Sequence, residues 1–393
     1  MNNISDQNLI LQGKKVLLRV DLNVPMKNGA ITETSRIEKI LPTIKLLIEK
    51  KAKIILLSHI GRPKGKVVSE MSLEPISKKL SQYLNKEVLF NKNKINENTI
   101  SEINKVSNGS IMMLENIRFN EGEETNDKEF SKKISTLGDI YVNDAFSCSH
   151  RAHASIDGIT KYLPSYFGLQ ITEEINALKK ITSEIKNPIT LIIGGSKIST
   201  KIKIIKNLIK KFDDIIIVGG MANTVLKYTG TNIGKSIYEL NCENLIKEIL
   251  EKSKENNCKI NCPTDVVVSK NLHGIGKNKE IREIENDEMI LDIGPKTILS
   301  IKKIIDSSNT VLWNGPAGYF ENSNFANGTK EIIKIITEKT LKDKIFSVAG
   351  GGETVAAINK FNKFDSFTFV STAGGAFLEF LEGKKLPGIS AIN

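Results

Sequence analysis

The stretch 345-IFSVAGGGETVAAI-358 carries the pattern on which the fold prediction rests. It predicts a short apolar strand, a turn at Gly350–Gly352, and a helix that opens with Glu353 and Thr354. Glycines let backbone N–H groups approach a ligand closely, and the first turn of a helix presents unpaired donors and partial positive charge. The stretch therefore suits a bound phosphate, and equally a tight strand-to-helix turn without a ligand.

The same order of strand, polar or glycine-rich turn, and helix recurs along the whole chain. Because alternating strands and helices build parallel sheets, we predict an α/β protein with two doubly wound parallel-sheet domains. We expect the domains to face each other across a cleft, to be joined by a helix and to close by a hinge. The strands are predicted at Lys14–Val20, Lys53–Leu57, Val88–Phe90, Ser110–Leu114, Asp139–Val142, Pro188–Ile193, Asp214–Val218, Met289–Ile293, Thr310–Trp313, Phe346–Ala349 and Phe367–Val370.

The domain boundaries follow from length and from one mid-chain helix. A chain of 393 residues exceeds the ~250–300 residues at which single cores stop growing. The segment TEEINALKKITSEI has helical spacing, and Thr172 is the expected N-cap. We therefore expect an N-terminal domain over 1–170, an interdomain helix over 171–186 and a second domain over 187–379.

Composition indicates a globular protein outside the membrane. Hydrophobic residues make up 40% and charged residues 26% of the chain, and no apolar run approaches the ~20 residues that span a bilayer. The N-terminal segment lacks the basic-then-apolar order of a secretory signal, from which we expect a cytoplasmic location. Four cysteines are too sparse for a disulfide framework, so we expect reduced thiols.

The basic residues point to small anionic ligands. The net charge is +11, yet Lys is spread along the chain among Glu residues with few aromatics, which favours a solvated surface over a nucleic-acid site. Only six of the 56 basic residues are Arg, and five of these precede residue 152. The planar guanidinium of Arg can form two parallel hydrogen bonds to a phosphate or carboxylate, which the ammonium of Lys cannot. We therefore predict an anion site in the N-terminal half.

These patterns together favour a phosphoryl transferase with divided sites. Nucleotide phosphates would lie on the glycine turns of the second domain, and a small anionic substrate on the arginines of the first. Gly234-Lys235-Ser236 lacks the earlier glycine of a P-loop, and the chain has no GxGxxG dinucleotide fingerprint. The sequence therefore supports neither a P-loop nucleoside triphosphatase nor a dinucleotide-binding enzyme.

Ten motifs, in order, resemble those of the phosphoglycerate kinase family almost end to end. They are RVDLNVP (19–25), SHIGRP (58–63), LENIRF (114–119), NDAFSCSHRAHAS (143–155), GGSKISTK (194–201), GGMANT (219–224), DIGPKT (292–297), LWNGPAG (312–318), GGGETVAA (350–357) and LPGI (386–389). The resemblance implies reversible phosphoryl transfer between 1,3-bisphosphoglycerate and ADP, giving 3-phosphoglycerate and ATP in glycolysis, with Mg²⁺. It also implies a monomer with no nucleic-acid or membrane partner.

The resemblance assigns roles residue by residue. The positions that match substrate-binding residues are Asp21, Asn23, Arg36, His59, Arg62, Arg118 and Arg151. Those that match nucleotide-binding residues are Lys197, Lys201, Gly294, Asn314, Glu321, Gly350, Gly351, Gly352, Glu353 and Thr354. Those expected to act in catalysis are Arg36, Lys197, Gly351 and Gly374. Glu353 is the expected magnesium ligand, and the tail 380–393 is expected to pack on the N-terminal domain.

Three positions depart from the family pattern: Glu353 stands where Asp is usual, Ala373 replaces a glycine, and Phe377 replaces a small residue. His150 and His153 fit structural as well as functional roles. A catalytically silent binding protein of the same fold and a nucleic-acid-binding protein are the alternative functions. Coupled turnover tests the first, and a salt-dependent gel shift tests the second.

Overall fold

The structure is a computed structural model that describes residues 2–27 and 29–392. Met1 and Asn393, the outer ends of the predicted first domain and tail, lie outside the described residues, as does Asn28. The chain divides into two compact units. The first unit comprises Met1–Asn176 and Lys385–Asn393, and the second comprises Ala177–Lys384. In the described part of the chain, no helix has both the length and the apolarity that crossing a membrane requires.

The first unit alternates strands and helices as the sequence predicts. Its elements are β1 (Lys15–Val20), β2 (Met26–Lys27), β3 (Ala30–Ile31), α1 (Ser35–Glu49), β4 (Lys53–Leu57), α2 (Glu74–Leu84), β5 (Val88–Asn91), α3 (Glu97–Asn104), β6 (Ile111–Leu114), α4 (Lys128–Ser135), β7 (Ile140–Asp144), β8 (Ser165–Phe167) and the start of α5 (Leu169–Thr182), which ends in the second unit. Apart from the β2–β3 hairpin, the strands form one sheet in the order β5-β6-β4-β1-β7-β8. All its pairings are parallel, because each connection crosses over to the same end of the sheet.

The second unit repeats this arrangement and adds a small antiparallel sheet. Its elements are β9 (Ile189–Ile193), α6 (Ile202–Leu208), β10 (Asp214–Ile217), α7 (Gly219–Tyr228), α8 (Glu243–Glu255), β11 (Lys259–Asn261), β12 (Asp265–Ser269), β13 (Lys277–Glu280), β14 (Met289–Ile293), α9 (Pro295–Ser307), β15 (Thr310–Asn314), α10 (Asn327–Thr340), β16 (Phe346–Gly350), α11 (Gly352–Lys360), β17 (Phe369–Ser371) and α12 (Gly375–Leu381); α13 (Pro387–Ser390) follows in the first unit.

Six of these strands form a parallel sheet in the order β11-β10-β9-β15-β16-β17. The order reverses between β9 and β15, the position at which doubly wound sheets bind ligands beyond the carboxyl ends of their strands. β9 is buried along its whole length, as expected for a strand covered by helices on both faces. The prediction of two parallel α/β sheets is therefore confirmed.

Two details differ from the sequence prediction. β14 pairs with β12 in a three-stranded antiparallel sheet rather than in the parallel sheet. The mid-chain helix begins at Leu169, and Thr172 lies inside it, where its hydroxyl donates to the Gly168 carbonyl. Thr172 is therefore not the N-cap.

Two distant residues explain the earlier start of α5. The Leu169 N–H donates to Thr43 Oγ1 at 3.0 Å, and the Ile171 N–H donates to Asp144 Oδ1 at 3.0 Å. These acceptors satisfy backbone donors that a helix leaves unpaired in its first turn. They come from α1 and β7, so no local motif marks the helix start.

The C-terminal tail is part of the first unit from Lys385 onward, five residues later than the predicted 380. Phe380 and Leu381 still belong to α12, and the Leu381 carbonyl accepts from Asn207 Nδ2 of the second unit at 2.7 Å. In the tail, the Gly388 N–H donates to the Ser149 carbonyl at 2.9 Å, and the Gly388 carbonyl accepts from Asn143 Nδ2 at 3.0 Å.

Candidate active site

The predicted substrate residues of the first unit follow the carboxyl ends of its parallel strands. Asp21 and Asn23 follow β1, His59 and Arg62 follow β4, Arg118 follows β6 and Arg151 follows β7, while Arg36 lies in the first turn of α1. We call these seven residues the arginine edge. The strand ends of one parallel sheet share an edge, so residues distant in sequence lie on the same side of the unit.

Asp21 connects two elements of the arginine edge. Its carboxylate accepts from Arg36 Nη1 and from Ser147 Oγ, and the Asn23 N–H donates to Asp21 Oδ1 at 3.0 Å. Burial would raise the pKa of Asp21, but the Arg36 charge and the hydrogen bonds from Ser147 and Asn23 outweigh it and hold the pKa below its usual range. The carboxylate is thus ionised and orients Arg36 across the edge.

The backbone of Gly61 links three further positions. Its N–H donates to Asn23 Oδ1 at 3.0 Å, and its carbonyl accepts from Arg118 Nη1 at 2.8 Å. Arg62 is the next residue and is exposed, which leaves its guanidinium accessible to a dissolved anion. Arg151 Nε donates to His150 Nε2 at 3.1 Å. The edge is therefore held together by backbone and side-chain contacts.

Two histidines of the first unit, His59 and His153, are held neutral. Burial and the Arg19 guanidinium lower the pKa of His59 well below its ordinary value. Burial, followed by the charges of Arg118 and Arg19, lowers the pKa of His153 to about 3. Both rings are therefore uncharged at neutral pH and contribute hydrogen bonds rather than charge.

The second unit contains a cavity of about 310 Å³. We call it the glycine cavity, because Gly195, Gly219, Gly220 and Gly318 are among the residues that line it. Its volume lies within the ~300–1,000 Å³ range of small-molecule pockets. The other lining residues are Ser196, Ala222, Asn223, Ile237, Pro263, Val266, Leu272, Met289, Ile290, Leu291, Asp292, Ile293, Pro316, Ala317, Tyr319, Glu321 and Glu353.

Two glycines bring the ends of β9 and β15 together beside this cavity. A Cβ on Gly315, whose φ is +108°, would lie 2.3 Å from the Gly194 carbonyl oxygen. The close approach therefore requires glycine at position 315. It also places the two strand-end carbonyls, those of Gly194 and Asn314, around one ammonium group.

That ammonium belongs to Lys201. Lys201 Nζ donates to the Gly194 carbonyl at 2.6 Å and to the Asn314 carbonyl at 3.3 Å. Burial lowers the pKa of Lys201 to about 8, although the Glu353 carboxylate opposes the change. Lys201 is thus a partly desolvated cation fixed at the switch point of the sheet. Lys197, by contrast, is exposed on the preceding loop.

Glu353 lies in the first turn of α11 and lines the glycine cavity. Measured from a Cβ built on Gly195, Lys201 Nζ lies at 3.5 Å and Glu353 Oε2 at 3.8 Å, so the two charged groups flank the same backbone position. Mg²⁺ in nucleotide sites is bound through one or two carboxylates and substrate phosphates. The Glu353 carboxylate at the cavity wall can supply one such ligand.

The remaining nucleotide positions lie on the neighbouring turns. Asn314 Nδ2 donates to the Gly350 carbonyl at 2.6 Å, and the Gly315 N–H donates to Thr354 Oγ1 at 2.7 Å. Gly351 has a φ of +97° and is the N-cap of α11, which begins at Gly352. Gly374 has a φ of +56° before α12.

Gly294 packs against Asp265 and is not among the residues that line the glycine cavity. A Cβ on Gly294 would lie 2.4 Å from the Asp265 carboxyl carbon, and Asp265 accepts from backbone N–H groups of α9. The neighbouring Ile293 lines the glycine cavity instead, as does Glu321. Gly294 therefore shapes the cavity through its backbone and the start of α9.

Phe377, one of the departures from the family pattern, is fully buried against the glycine turn. A Cβ on Gly350 would lie 2.6 Å from Phe377 Cε1, so the ring packs directly on the glycine backbone. Ala373 is buried, and its N–H donates to Ser371 Oγ at 3.3 Å. The Phe377 ring packs beneath the turn at Gly350, and Ala373 is buried in the turn between β17 and α12.

Several residues around these sites were not predicted from sequence. Ser147 donates to Asp21, and Arg19 contacts His59 from a fully buried position. The scarcity of Arg could have singled out Arg19. Asp292 lines the glycine cavity, and burial raises its pKa to about 7 against hydrogen bonds from the Gly328 and Ile293 N–H groups. Asp292 begins the DIGPKT motif (292–297), but nothing in that motif indicates that the fold buries its carboxylate.

Comparisons with known proteins identify the family that the chain resembles. A family model described as phosphoglycerate kinase matches residues 5–384. The phosphoglycerate kinase of Chelativorans sp. strain BNC1 is 47% identical over 97% of this chain and 96% of its own. That of the Wolbachia endosymbiont of Brugia malayi is 45% identical over 100% of this chain and 98% of its own.

Solved structures extend the similarity to the fold. The phosphoglycerate kinase of Coxiella burnetii is 41% identical, with a TM-score of 0.91 over 98% of this chain and 97% of its own. That of Pyrococcus horikoshii is 30% identical, with a TM-score of 0.82 over 100% of this chain and 98% of its own. With a family model spanning nearly the whole length and relatives matched end to end, the chain belongs to the phosphoglycerate kinase family.

Proposed function

We propose that this protein catalyses the reversible transfer of a phosphoryl group between 1,3-bisphosphoglycerate and ADP, giving 3-phosphoglycerate and ATP. The observation that carries the proposal is the pairing of an arginine edge on one unit with a glycine cavity and buried Lys201 on the other. Such a division separates the two anionic substrates until transfer. As in the family, we expect a cytoplasmic, glycolytic monomer.

We assign the phosphoglycerate to the first unit. Arg62, Arg118 and Arg151 would bind its terminal phosphate, because guanidinium groups offer paired donors to phosphate oxygens. Asn23 and His59 would hold its hydroxyl and carboxyl groups. Five of the seven assigned residues are connected through Asp21 and Gly61 or lie beside them, which supports a preformed site.

We assign the nucleotide to the second unit. The glycine cavity would take the nucleoside, with Glu321 at the ribose and the carbon-rich wall around Ile237 and Leu272 at the base. The phosphates would run toward Lys201, Gly350–Gly352 and Thr354, where backbone N–H groups and the first turn of α11 favour anions. Mg²⁺ bound by Glu353 would offset charge on these phosphates.

For transfer toward ATP, the β-phosphate oxygen of ADP attacks the acyl phosphate of 1,3-bisphosphoglycerate. A new oxygen–phosphorus bond forms as the bond to the carboxyl oxygen breaks, and the released carboxylate is already stable as an anion. No general base is required, because the attacking oxygen carries no proton. Arg36 and Lys197 would neutralise charge on the moving group from either side. Hinge closure of the two domains would bring them together and exclude water.

A coupled assay with 1,3-bisphosphoglycerate, ADP and Mg²⁺ tests the proposal. We expect turnover in the ~1–100 s⁻¹ range of kinases, with loss of activity on chelation of Mg²⁺. A folded protein that shows no turnover at high enzyme concentration would instead be a silent binding protein of this fold.

A further inference from the structure

Arg19 is the one arginine of the first unit to which the proposed function gives no role. Its side chain extends from β1 and is fully buried, with 0% exposure. Removing a guanidinium from water costs several kcal/mol unless hydrogen bonds and an opposite charge compensate. The contacts of Arg19 show which hydrogen bonds and charges compensate the desolvation of its guanidinium.

Arg19 uses all three guanidinium nitrogens. Its Nε donates to Ser155 Oγ at 2.9 Å, its Nη1 donates to the Val20 carbonyl, and its Nη2 lies 3.2 Å from His59 Nδ1. The first two contacts fix the plane of the fork. Arg offers such a rigid set of donors, whereas the ammonium of Lys is a single point.

Ser155 is oriented by a second buried charge. Its Oγ–H donates to Glu123 Oε1 at 2.6 Å and its N–H donates to Glu123 Oε2 at 2.9 Å, which leaves the Ser155 lone pairs for Arg19. Glu123 has 0% exposure. Burial raises the pKa of Glu123, and the Arg19 charge and the two hydrogen bonds from Ser155 oppose that rise. Glu123, Ser155 and Arg19 thus form one continuous chain of hydrogen bonds ending at His59.

A guanidinium has only donors, so the Arg19 contact requires a lone pair on His59 Nδ1. The ring proton must then lie on Nε2, and protonating Nδ1 would set two donors against each other. Resting on the role proposed for His59 above, we propose that Arg19 is a positioning residue that keeps His59 as the Nε2–H tautomer. His59 would then always donate a hydrogen bond to the phosphoglycerate.

The surroundings of His59 support a neutral ring. Burial is the largest influence that lowers its pKa, followed by Arg19, with Asp21 opposing. The charged and titratable groups around it are Arg19 and Asp21 from the β1 segment, Arg36 from α1, Arg118 after β6 and Cys148 after β7. Asp21, His59 and Cys148 have atoms within 4.8 Å of one another, as metal ligands can have. Arg19 already occupies the imidazole lone pair and lies 4.0 Å from Cys148 Sγ, which disfavours a cation there.

The direct test is ¹⁵N NMR of the ligand-free protein with labelled histidine. Four histidines give a readily assigned spectrum, with His59→Gln identifying the His59 signals. We expect His59 to show a protonated Nε2 and an unprotonated Nδ1, unchanged between about pH 5 and 8. A proton on Nδ1, or a ring that titrates in this range, overturns the proposal without reference to catalysis.

Arg19→Met adds a kinetic test, with Arg282→Met as its matched control, since Arg282 is an exposed arginine of the second unit. At the upper end of the pH range, we expect the variant to raise the KM for 3-phosphoglycerate about tenfold, equivalent to one hydrogen bond of ~1.4 kcal/mol. As the pH falls, His59 freed from the Arg19 charge gains a proton at a higher pH than in the wild type and attracts the anionic substrate, so the KM ratio of variant to wild type decreases.

Titration of the substrate itself affects the variant and the wild type equally, so it cancels in the KM ratio. A ratio that does not change with pH would show that Arg19 acts only on structure or charge, and overturns the positioning role. If Arg19→Met does not fold, the NMR spectrum of the wild-type protein still tests the tautomer of His59. Absence of turnover in the wild type would refute the proposed function, while leaving the tautomer measurement intact.

Discussion

Removing the ammonium of Lys201 should change how the free energy of unfolding depends on pH. Burial lowers the pKa of Lys201 from about 10.5 to about 8. The unfolded chain therefore binds more protons than the folded protein between about pH 8 and 10.5, so stability rises with pH over this interval. With these two pKa values, the wild type should gain about 2 kcal/mol between about pH 7 and 9.5 from this group alone.

The assay is urea unfolding of the wild type and Lys201→Met at both pH values. The stability difference, wild type minus variant, isolates Lys201, because all other titrating groups are shared. We expect it to rise by about 2 kcal/mol toward the higher pH. Lys203→Met provides a matched control, since Lys203 is exposed on the same helix and should give no change. A difference that stays constant or falls would show that the Lys201 ammonium is not penalised by burial.

Three further measurements address the proposed sites. Arg36→Ala and Lys197→Ala should each lower kcat by ~10²–10⁵, as for other charge clamps, and a loss confined to KM would refute their assigned role. Phe377→Ala should destabilise the protein by ~3–5 kcal/mol in urea unfolding, because it empties the space against Gly350; an effect below ~1 kcal/mol would show that the ring does not support the turn. Glu353→Asp should keep or improve Mg²⁺ affinity in activity titrations, and a large loss would mean that the longer Glu is specifically accommodated.

The parallel sheets could be predicted because their strands are marked locally. β4 and β9 are short apolar runs followed directly by polar or glycine-rich turns, as strands covered on both faces should be. β13, KNKE, has no such signal, because it is a largely polar strand with an exposed half. The antiparallel sheet to which it belongs was missed, although β12, DVVVS, is an apolar run that carries a strand signal.

The same distinction holds for the sites. Asp21, Lys201 and Glu353 could be predicted as site residues because motifs place them at fixed distances from strand ends. The pairing of Arg19 with Ser155 was not found, because the two residues are 136 positions apart and only the fold joins them. The start of α5 was misplaced for the same reason, since Asp144 accepts from its first turn across 27 positions.

The return of the C-terminal tail has a consequence for synthesis on the ribosome. Gly388 contacts Asn143 across 245 positions, and its neighbour in space, Ser149, lies two residues before Arg151. The segment that contacts the loop before Arg151 is therefore translated after every element of the second unit. Nascent first units emerge with that loop unsupported. Loss of Lys385–Asn393 would accordingly remove contacts from the first unit, whose other residues all precede Ala177.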